Sequence, residues 1–132
     1  MLKSNQPAFT KNFKNLFVWQ KSMLLVKEIY QVTSHFPDDE RFALKSQIQR
    51  SATSIPLNLA EGNSQLFPKK EINFFNNALG SCAETICALD IALQNEYISK
   101  ETHDRLEKDL IEIQKMAIGY IRRLQESIGE ED

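Results

Sequence analysis

Apolar side chains recur at helical spacing in four separate stretches of this 132-residue chain. In the first stretch the recurring residues are Trp19, Met23, Val26, Ile29, Tyr30 and Thr33. Each stretch places its apolar residues on one side of a helix with 3.6 residues per turn, and no segment competes as a strand. The pattern therefore predicts four helices, over residues 16–35, 38–62, 68–96 and 99–128.

Proline, glycine and serine residues set the predicted limits of these helices. Pro37 ends the first helix, because the residue before a proline is pushed out of the helical region. Gly62 suits the end of the second helix, Pro68 the first turn of the third, and Ser99 the N-cap of the fourth. Pro56 lies inside the second helix and removes one amide donor, so we expect a kink there rather than two shorter helices.

Four helices joined by short connections predict an all-α fold, an antiparallel up-down-up-down left-handed four-helix bundle. A chain of this length builds one core, so the bundle is expected to occupy residues 15–129 as a single domain. Residues 1–14 lack sustained periodicity and are predicted to form an N-terminal arm. Residues 130–132 are predicted to form an acidic tail.

A stripe of polar residues runs along the second predicted helix, and a similar stripe runs along the third. Together these stripes form the polar seam, which contains Gln47, Arg50, Ser54, Asn58, Glu61, Asn77, Ser81 and Glu84. Short serine and asparagine side chains between charged ones indicate close packing, and we expect Arg50 to pair with Glu84. The seam is either a buried network that fixes the register of two helices or an outward face for a subunit or a small ligand.

The chain carries a formal net charge of -2 at pH 7, which removes the simplest argument for nucleic-acid binding. Lysines nevertheless concentrate near the N-terminus, interleaved with aromatic residues. The candidates there for contact with a nucleic acid or with a neighbouring subunit are Lys11, Lys14, Trp19 and Lys21. The alternative is that this aromatic segment packs over one end of the bundle.

No group of residues typical of catalysis or metal binding stands out. His35 and His103 lie at predicted helix ends and belong to no Glu-x-x-His pair of the kind that di-iron bundles use. The chain also lacks a serine with a nearby base and a glycine-rich phosphate loop. We expect no enzymatic activity, catalytic residue, metal or cofactor. Cys82 and Cys87 are expected to be buried and unpaired, because they point to different sides of one helix.

No apolar run approaches the roughly 18 residues that a membrane-spanning helix needs, and no secretory signal is evident. The sequence therefore predicts a cytoplasmic protein with no membrane contact.

The order of these features resembles the 23S rRNA-intervening-sequence protein family over nearly the whole chain, from Leu16 to about Leu124. The resemblance is carried by Leu16, Val18-Trp19, Phe36-Pro37, Glu40, Leu44, Gln47-Ile48, Arg50, Ser54-Ile55-Pro56, Asn58, Ala60-Glu61-Gly62, Gly80-Ser81 and Glu84. It implies a small bacterial four-helix bundle that assembles as a homopentameric ring. A related branch is similar to the accessory variability determinant of diversity-generating retroelements, a basic pentamer that binds nucleic acid and a reverse transcriptase. This chain departs from that branch because it is mildly acidic.

The resemblance favours a non-enzymatic homo-oligomer, a pentamer by analogy, that acts as a scaffold or as a nucleic-acid-associated accessory protein. Its expected partners are copies of itself, with RNA, DNA or another protein as further candidates. The alternative is a helical adaptor that binds a helix of another protein in a groove and makes no nucleic-acid contact.

Overall fold

The computed structural model describes residues 11–40 and 42–131, and these residues form four α-helices. The helices are α1 (Phe17–Thr33), α2 (Leu44–Asn63), α3 (Pro68–Gln94) and α4 (Lys100–Glu131). Two short 3-10 helices, Phe13–Asn15 and Asp38–Glu40, precede α1 and α2. No strand occurs among the described residues, so the prediction of an all-helical fold with four helices is confirmed.

Helix α2 begins at Leu44, six residues after the predicted start at residue 38. Asp38, Asp39 and Glu40, acidic residues that suit the first turn of a helix, form the second 3-10 helix instead. Ala43 then leaves the helical region, with φ of -120° and ψ of -107°. The carboxylate of Glu40 accepts a hydrogen bond of 3.2 Å from the amide of Leu44. An acid therefore does satisfy one of the free amides at the start of α2, but it does so from outside the helix.

The two ends of the chain also differ from the predicted boundaries. Helix α4 extends through Glu131, so residues 130 and 131 of the predicted acidic tail belong to the helix backbone. Residue 132 and residues 1–10 of the predicted arm lie outside the described residues. In the rest of the predicted arm, residues 11 and 12 precede the first 3-10 helix, and residues 13 and 14 belong to it.

Helix α2 runs without interruption through Pro56, whose ring is buried. Small polar side chains on both sides of the proline bond to backbone carbonyls of the same helix. The hydroxyl of Ser54 donates to the carbonyl of Ser51 at 2.7 Å, and the amide of Asn58 donates to the carbonyl of Ser54 at 2.8 Å. The chain therefore does not break into two shorter helices at this proline.

Each helix packs against the next one along the chain, and α4 also packs against α1. The contact between α2 and α3 is the most extensive, and within the described part of the chain the backbone of α1 does not approach that of α3, nor that of α2 the backbone of α4. The core lies between the helices and is mainly aliphatic, with the aromatic rings of Phe36 and Phe75. Its largest fully buried apolar side chains are Leu25, Ile29, Ile48, Ile55, Leu59, Phe75, Leu89, Leu106, Leu110 and Ile113.

The two cysteines have different environments. Cys82 is buried in the core, as expected, whereas Cys87 is exposed, which corrects the expectation that both are buried. The five-residue spacing turns Cys87 away from the core face of α3 on which Cys82 lies. None of the helices in the described ranges combines the length and the apolar character that crossing a membrane requires.

Candidate functional site

The polar seam lies along the contact between α2 and α3, and three of its residues are partly buried there. The hydroxyls of Ser54 and Ser81 are 2.5 Å apart, and Asn58 bonds within α2 as described above. Nearer the start of α2, the side-chain amide of Gln47 donates to the carboxylate of Glu84. The structure therefore joins the two stripes at two points, a serine pair and a glutamine–glutamate pair.

The other members of the seam are at the surface. Arg50 is exposed and forms no ion pair with Glu84, because Gln47 occupies that carboxylate, so the expected pair of Arg50 and Glu84 is not formed. Glu61 and Asn77 are exposed as well. The seam is thus a half-buried line with a solvent-facing rim, intermediate between the two arrangements that the sequence left open.

Arg50 instead lines a shallow pocket of about 360 Å³ at the start of α2. The pocket also contains the exposed side chains of Phe42 and Ile91 and the polar side chains of Gln47 and Asn95. An arginine beside exposed apolar groups is a composition that protein surfaces use for contacts with other proteins.

A deeper polar contact between α2 and α3 escaped the sequence analysis. The hydroxyl of Thr85 lies 2.8 Å from that of Ser51, and both side chains are buried. Each hydroxyl also bonds to a carbonyl of its own helix, Thr85 to Ser81 and Ser51 to Ile48. Ser51 lies among the apolar residues of α2, and a hydroxyl at such a position signals the need for a partner across the helix contact.

The most buried charge among the described residues lies where α3 begins. Glu71 is 2% exposed, and its carboxylate accepts hydrogen bonds from three directions. The amide of Asn63 donates at 3.2 Å, the phenol of Tyr120 at 2.9 Å, and the ammonium of Lys11 at 3.2 Å. Lys11 also donates to the carbonyl of Gln65 at 3.2 Å. A buried carboxylate is tolerated only with such partners, so this network holds four separate segments together.

Tyr120 contacts side chains of α2, α3 and α4 at this end of the bundle. Its ring stacks on Phe75 with centroids 4.6 Å apart, and the guanidinium of Arg123 lies 5.4 Å from its centroid. Burial raises the pKa of Tyr120, and the hydrogen bond to Glu71 raises it further, to about 12. Tyr120 falls on the apolar spacing of the fourth helix. A phenol in a core needs a hydrogen-bond partner, and that signal could have indicated a polar network here.

A second pocket, of about 460 Å³, lies beside Tyr120 between the start of α1 and the later half of α4. Its rim carries the cations of Lys115 and Arg123 and the side chain of Asn15, and Phe17 beside them is 75% exposed. Cationic and aromatic side chains around one concave surface can hold a phosphate and stack a base.

Two of the four residues predicted to contact a nucleic acid or a neighbouring subunit form ion pairs within the chain. Lys11 binds Glu71 as described, and Lys21 lies 3.0 Å from a carboxylate oxygen of Glu112 and 3.5 Å from one of Asp109. The hydrogen bond with Glu112 raises the pKa of Lys21.

The other two predicted contact residues have no such charged partner. Trp19 packs edge-to-face on Phe13 with centroids 5.2 Å apart and is half-buried. Lys14 is exposed to solvent.

A group of ionisable side chains surrounds the buried His103 in the first turn of α4. Its Nε2 lies 2.6 Å from Asp90 on α3 and 3.9 Å from Glu107 on α4, and its Nδ1 lies 2.9 Å from Asp104. Burial lowers the pKa of His103, but the hydrogen bonds with Asp104 and Asp90 and the charge of Glu107 outweigh it, so the pKa is raised. The sequence showed His103 beside acids on one helix but not Asp90, which lies 13 residues away.

The chain is similar to known proteins in sequence and in the arrangement of its helices. The model of the 23S rRNA-intervening sequence protein family matches residues 14–119. The chain belongs to this family. Among similar solved structures, a protein of unknown function from the S23 ribosomal protein family of Bacteroides thetaiotaomicron is 30% identical. The similarity covers 79% of this chain and 97% of that one, with a TM-score of 0.74. No curated protein matches the chain significantly.

Membership of the 23S rRNA-intervening sequence protein family agrees with the resemblance seen in the sequence, and the structure explains one residue that carries it. Gly62 of this family member packs against α3, where an added Cβ would lie 2.9 Å from Phe74 and 2.9 Å from Phe75. Only glycine fits this contact without a shift of the neighbouring helix. The family match and the solved structure identify no catalytic residue, and neither assigns a ligand.

Proposed function

We propose that this member of the 23S rRNA-intervening sequence protein family is a non-enzymatic homo-oligomeric scaffold, a pentamer by analogy, with an accessory role at a nucleic acid. We place it in the bacterial cytoplasm. The proposal rests on one observation, the exposed apolar side chains on the outward face of α1.

The outer face of α1 carries large apolar side chains that the described bundle leaves exposed. These include Met23, Leu24 and Tyr30, which fall within about 120° of the helix circumference. The opposite side of α1 supplies the buried residues Val18, Leu25 and Ile29. A helix that is apolar on both sides is normally covered on both sides. A second copy of the chain supplies such a cover in an oligomer.

The connection between α2 and α3 adds to this surplus of apolar surface. Leu66 and Phe67 in that connection are 73% and 64% exposed, and Leu57 on α2 is 66% exposed. Isolated apolar side chains are common on protein surfaces, but several on one small bundle favour assembly over a free monomer.

We take the four helices to run antiparallel in an up-down-up-down left-handed bundle. The Glu71 network supports alternating directions, because it joins the segment before α1, the end of α2, the start of α3 and the later part of α4. The pair of Arg105 and Glu28, with Nε and Oε2 2.8 Å apart, joins the early part of α4 to the later part of α1. The handedness follows from the packing geometry that such bundles adopt.

The proposed nucleic-acid contact lies at the pocket between α1 and α4. Lys115 and Arg123 supply local positive charge there although the chain as a whole is acidic, and the exposed ring of Phe17 offers a stacking surface. Lys14, which precedes Asn15 of this pocket in the chain, is exposed to solvent. Local charge of this kind binds phosphates with strong salt dependence.

The native mass of the protein tests the assembly. Native mass spectrometry or light scattering of the purified protein should give a multiple of the 15.2 kDa chain mass. Leu24→Glu should reduce that multiple, because it places a charge in the proposed contact. Gln94→Glu, which adds the same charge at an exposed position at the end of α3, should leave the mass unchanged. A monomeric wild-type protein would overturn the proposal.

Binding of labelled structured RNA and duplex DNA at two salt concentrations tests the accessory role. We expect binding that weakens steeply with salt and that the double substitution Lys115→Glu with Arg123→Glu abolishes. Lys108→Glu is the matched control, an exposed lysine on the same helix outside the pocket. The absence of binding at low salt would exclude the nucleic-acid role while leaving the oligomer intact.

The pocket at the start of α2 favours the second candidate function, a protein-binding adaptor. Arg50 and the exposed side chains of Phe42 and Ile91 line it. A monomeric mass, no nucleic-acid binding and an effect of Ile91→Glu on partner capture would together favour the adaptor.

A further inference from the structure

We propose that Asp90, His103 and Glu107 form a binding site for a zinc ion that bridges α3 and α4. The site is independent of the proposed scaffold function, since it lies in no described pocket and on no part of the outer face of α1. Neither the family match nor the similar structure assigns it.

The three side chains converge from two helices. One ligand atom from each of them lies within 4.8 Å of the other two. His103 and Glu107 are four residues apart on α4 and therefore share one face, while Asp90 reaches them from α3. Zinc ligands at bonds of 2.0–2.2 Å stand about 3.4 Å from one another around a tetrahedral ion. In the structure, Nε2 of His103 lies 2.6 Å from a carboxylate oxygen of Asp90 and 3.9 Å from one of Glu107. The first distance is shorter than the tetrahedral value and the second is longer.

The imidazole of His103 is already oriented for this role. Its Nδ1 faces Asp104 at 2.9 Å, and Asp104 in turn is bound by the ammonium of Lys100 at 2.7 Å. A carboxylate on one ring nitrogen fixes the histidine tautomer and directs the other nitrogen at the metal, an arrangement that is general in zinc proteins. His103 is buried, so its ring has little freedom to turn away.

The chemistry of the ligands selects the ion. One imidazole nitrogen and two carboxylate oxygens suit Zn²⁺, whereas Ca²⁺ and Mg²⁺ prefer sites made of oxygen alone. The carboxyl side chains of Asp90 and Glu107 are 58% and 35% exposed, so both can adjust and an ion has access from solvent. A water molecule would complete four coordination, and the site would tie α3 to α4 across their short connection.

Isothermal titration calorimetry tests the proposal. Zinc chloride is titrated into the tag-free, chelator-treated protein. The measurement is made in a Cys87→Ser background, because the exposed thiol of Cys87 is a competing zinc ligand. We expect one saturable site per chain, a higher melting temperature with zinc, and a visible absorption band when Co²⁺ replaces Zn²⁺. Each of Asp90→Asn and Glu107→Gln should weaken binding by about tenfold or more. Both side chains are partly exposed, so these variants are expected to fold.

Two further variants separate a metal site from a cluster of ion pairs. Asp104→Asn should weaken zinc binding by about 10- to 100-fold while the stoichiometry stays at one, because Asp104 only positions His103. Glu101→Gln, an exposed acid in the first turn of the same helix, should leave the affinity unchanged. The absence of saturable binding would overturn the proposal, and so would equal affinity in the protein, Asp90→Asn and Glu107→Gln.

Discussion

The carboxylate of Glu71 and the phenol of Tyr120 form a hydrogen bond of 2.9 Å inside one end of the bundle, although 49 residues separate them in the chain. Glu71 is buried and Tyr120 is partly buried, and Asn63 donates to both of them. The pair places polar groups at one end of a core that is mostly apolar. It favours one axial position of α4 against α3, because sliding either helix would leave a buried oxygen without its partner.

This pair predicts a loss of stability at alkaline pH. The pKa of Tyr120 is raised from its ordinary value of 10.0 to about 12 in the folded protein, so its neutral form stabilises the fold below pH 10. As the pH rises from 10 to about 12, the unfolded chain loses this proton first, and the contribution disappears. Urea unfolding across this range should show the decline, and Tyr120→Phe should be less stable at neutral pH but decline less. An equal decline in both proteins would contradict the assignment.

The close contact of Gly62 with α3 predicts opposite effects for two glycine substitutions. Gly62→Ala should destabilise the protein by about 1–3 kcal/mol, because its methyl group would collide with Phe74 and Phe75. Gly80→Ala should stabilise it by about 0.5–1 kcal/mol, since Gly80 is exposed in the middle of α3 with nothing within 4 Å of an added Cβ. Free energies of unfolding measured by denaturant titration decide this, and a neutral Gly62→Ala would show that the helices can move apart.

The contacts between α2 and α3 predict which polar residues matter for stability. Ser51→Ala and Thr85→Val should be coupled by about 0.5–3 kcal/mol in a double-mutant cycle, because their hydroxyls are buried and bonded to each other. Arg50→Ala should change stability by only about 0.5 kcal/mol or less, since Arg50 is exposed. Additive effects of the first two substitutions would show that the hydroxyls do not interact.

The two cysteines should differ sharply in reactivity. Burial raises the pKa of Cys82 to about 12, so almost no thiolate is present at neutral pH and reagents have no access. Cys87 is exposed and should react as an ordinary thiol. A thiol reagent should modify one cysteine in the native protein and two in denaturant, and Cys87→Ser should remove the fast reaction. Rapid modification of Cys82 would indicate frequent opening of the core.

Periodicity predicted the four helices because apolar spacing is a local property of the sequence. The start of α2 was placed too early, since acids after Pro37 suit a 3-10 turn as well as a helix. The expected pair of Arg50 and Glu84 failed for a related reason. Helix stripes identify which residues face a neighbour, but the axial offset between two helices decides which of them meet, and here it brings Gln47 to Glu84.

The Glu71 network could not be predicted residue by residue. An acid in the first turn of a helix has an ordinary explanation, stabilisation by the helix dipole, and nothing local marks Glu71 as buried. Its partners come from other helices and from the segment before α1. Tyr120 offered the only advance sign, because a phenol on a core face needs a partner.

The most extensive helix contact in the bundle joins α2 to α3, and only residues 64–67 connect them. Closing so short a connection costs little chain entropy, whereas the pair of Arg105 and Glu28 must bring together residues 77 positions apart. We expect α2 and α3 to associate in the folding transition state and α1 to dock afterwards. Substitutions at Ser51 should then slow folding, whereas Glu28→Gln should mainly speed unfolding, and the reverse would place α1 in the folding nucleus.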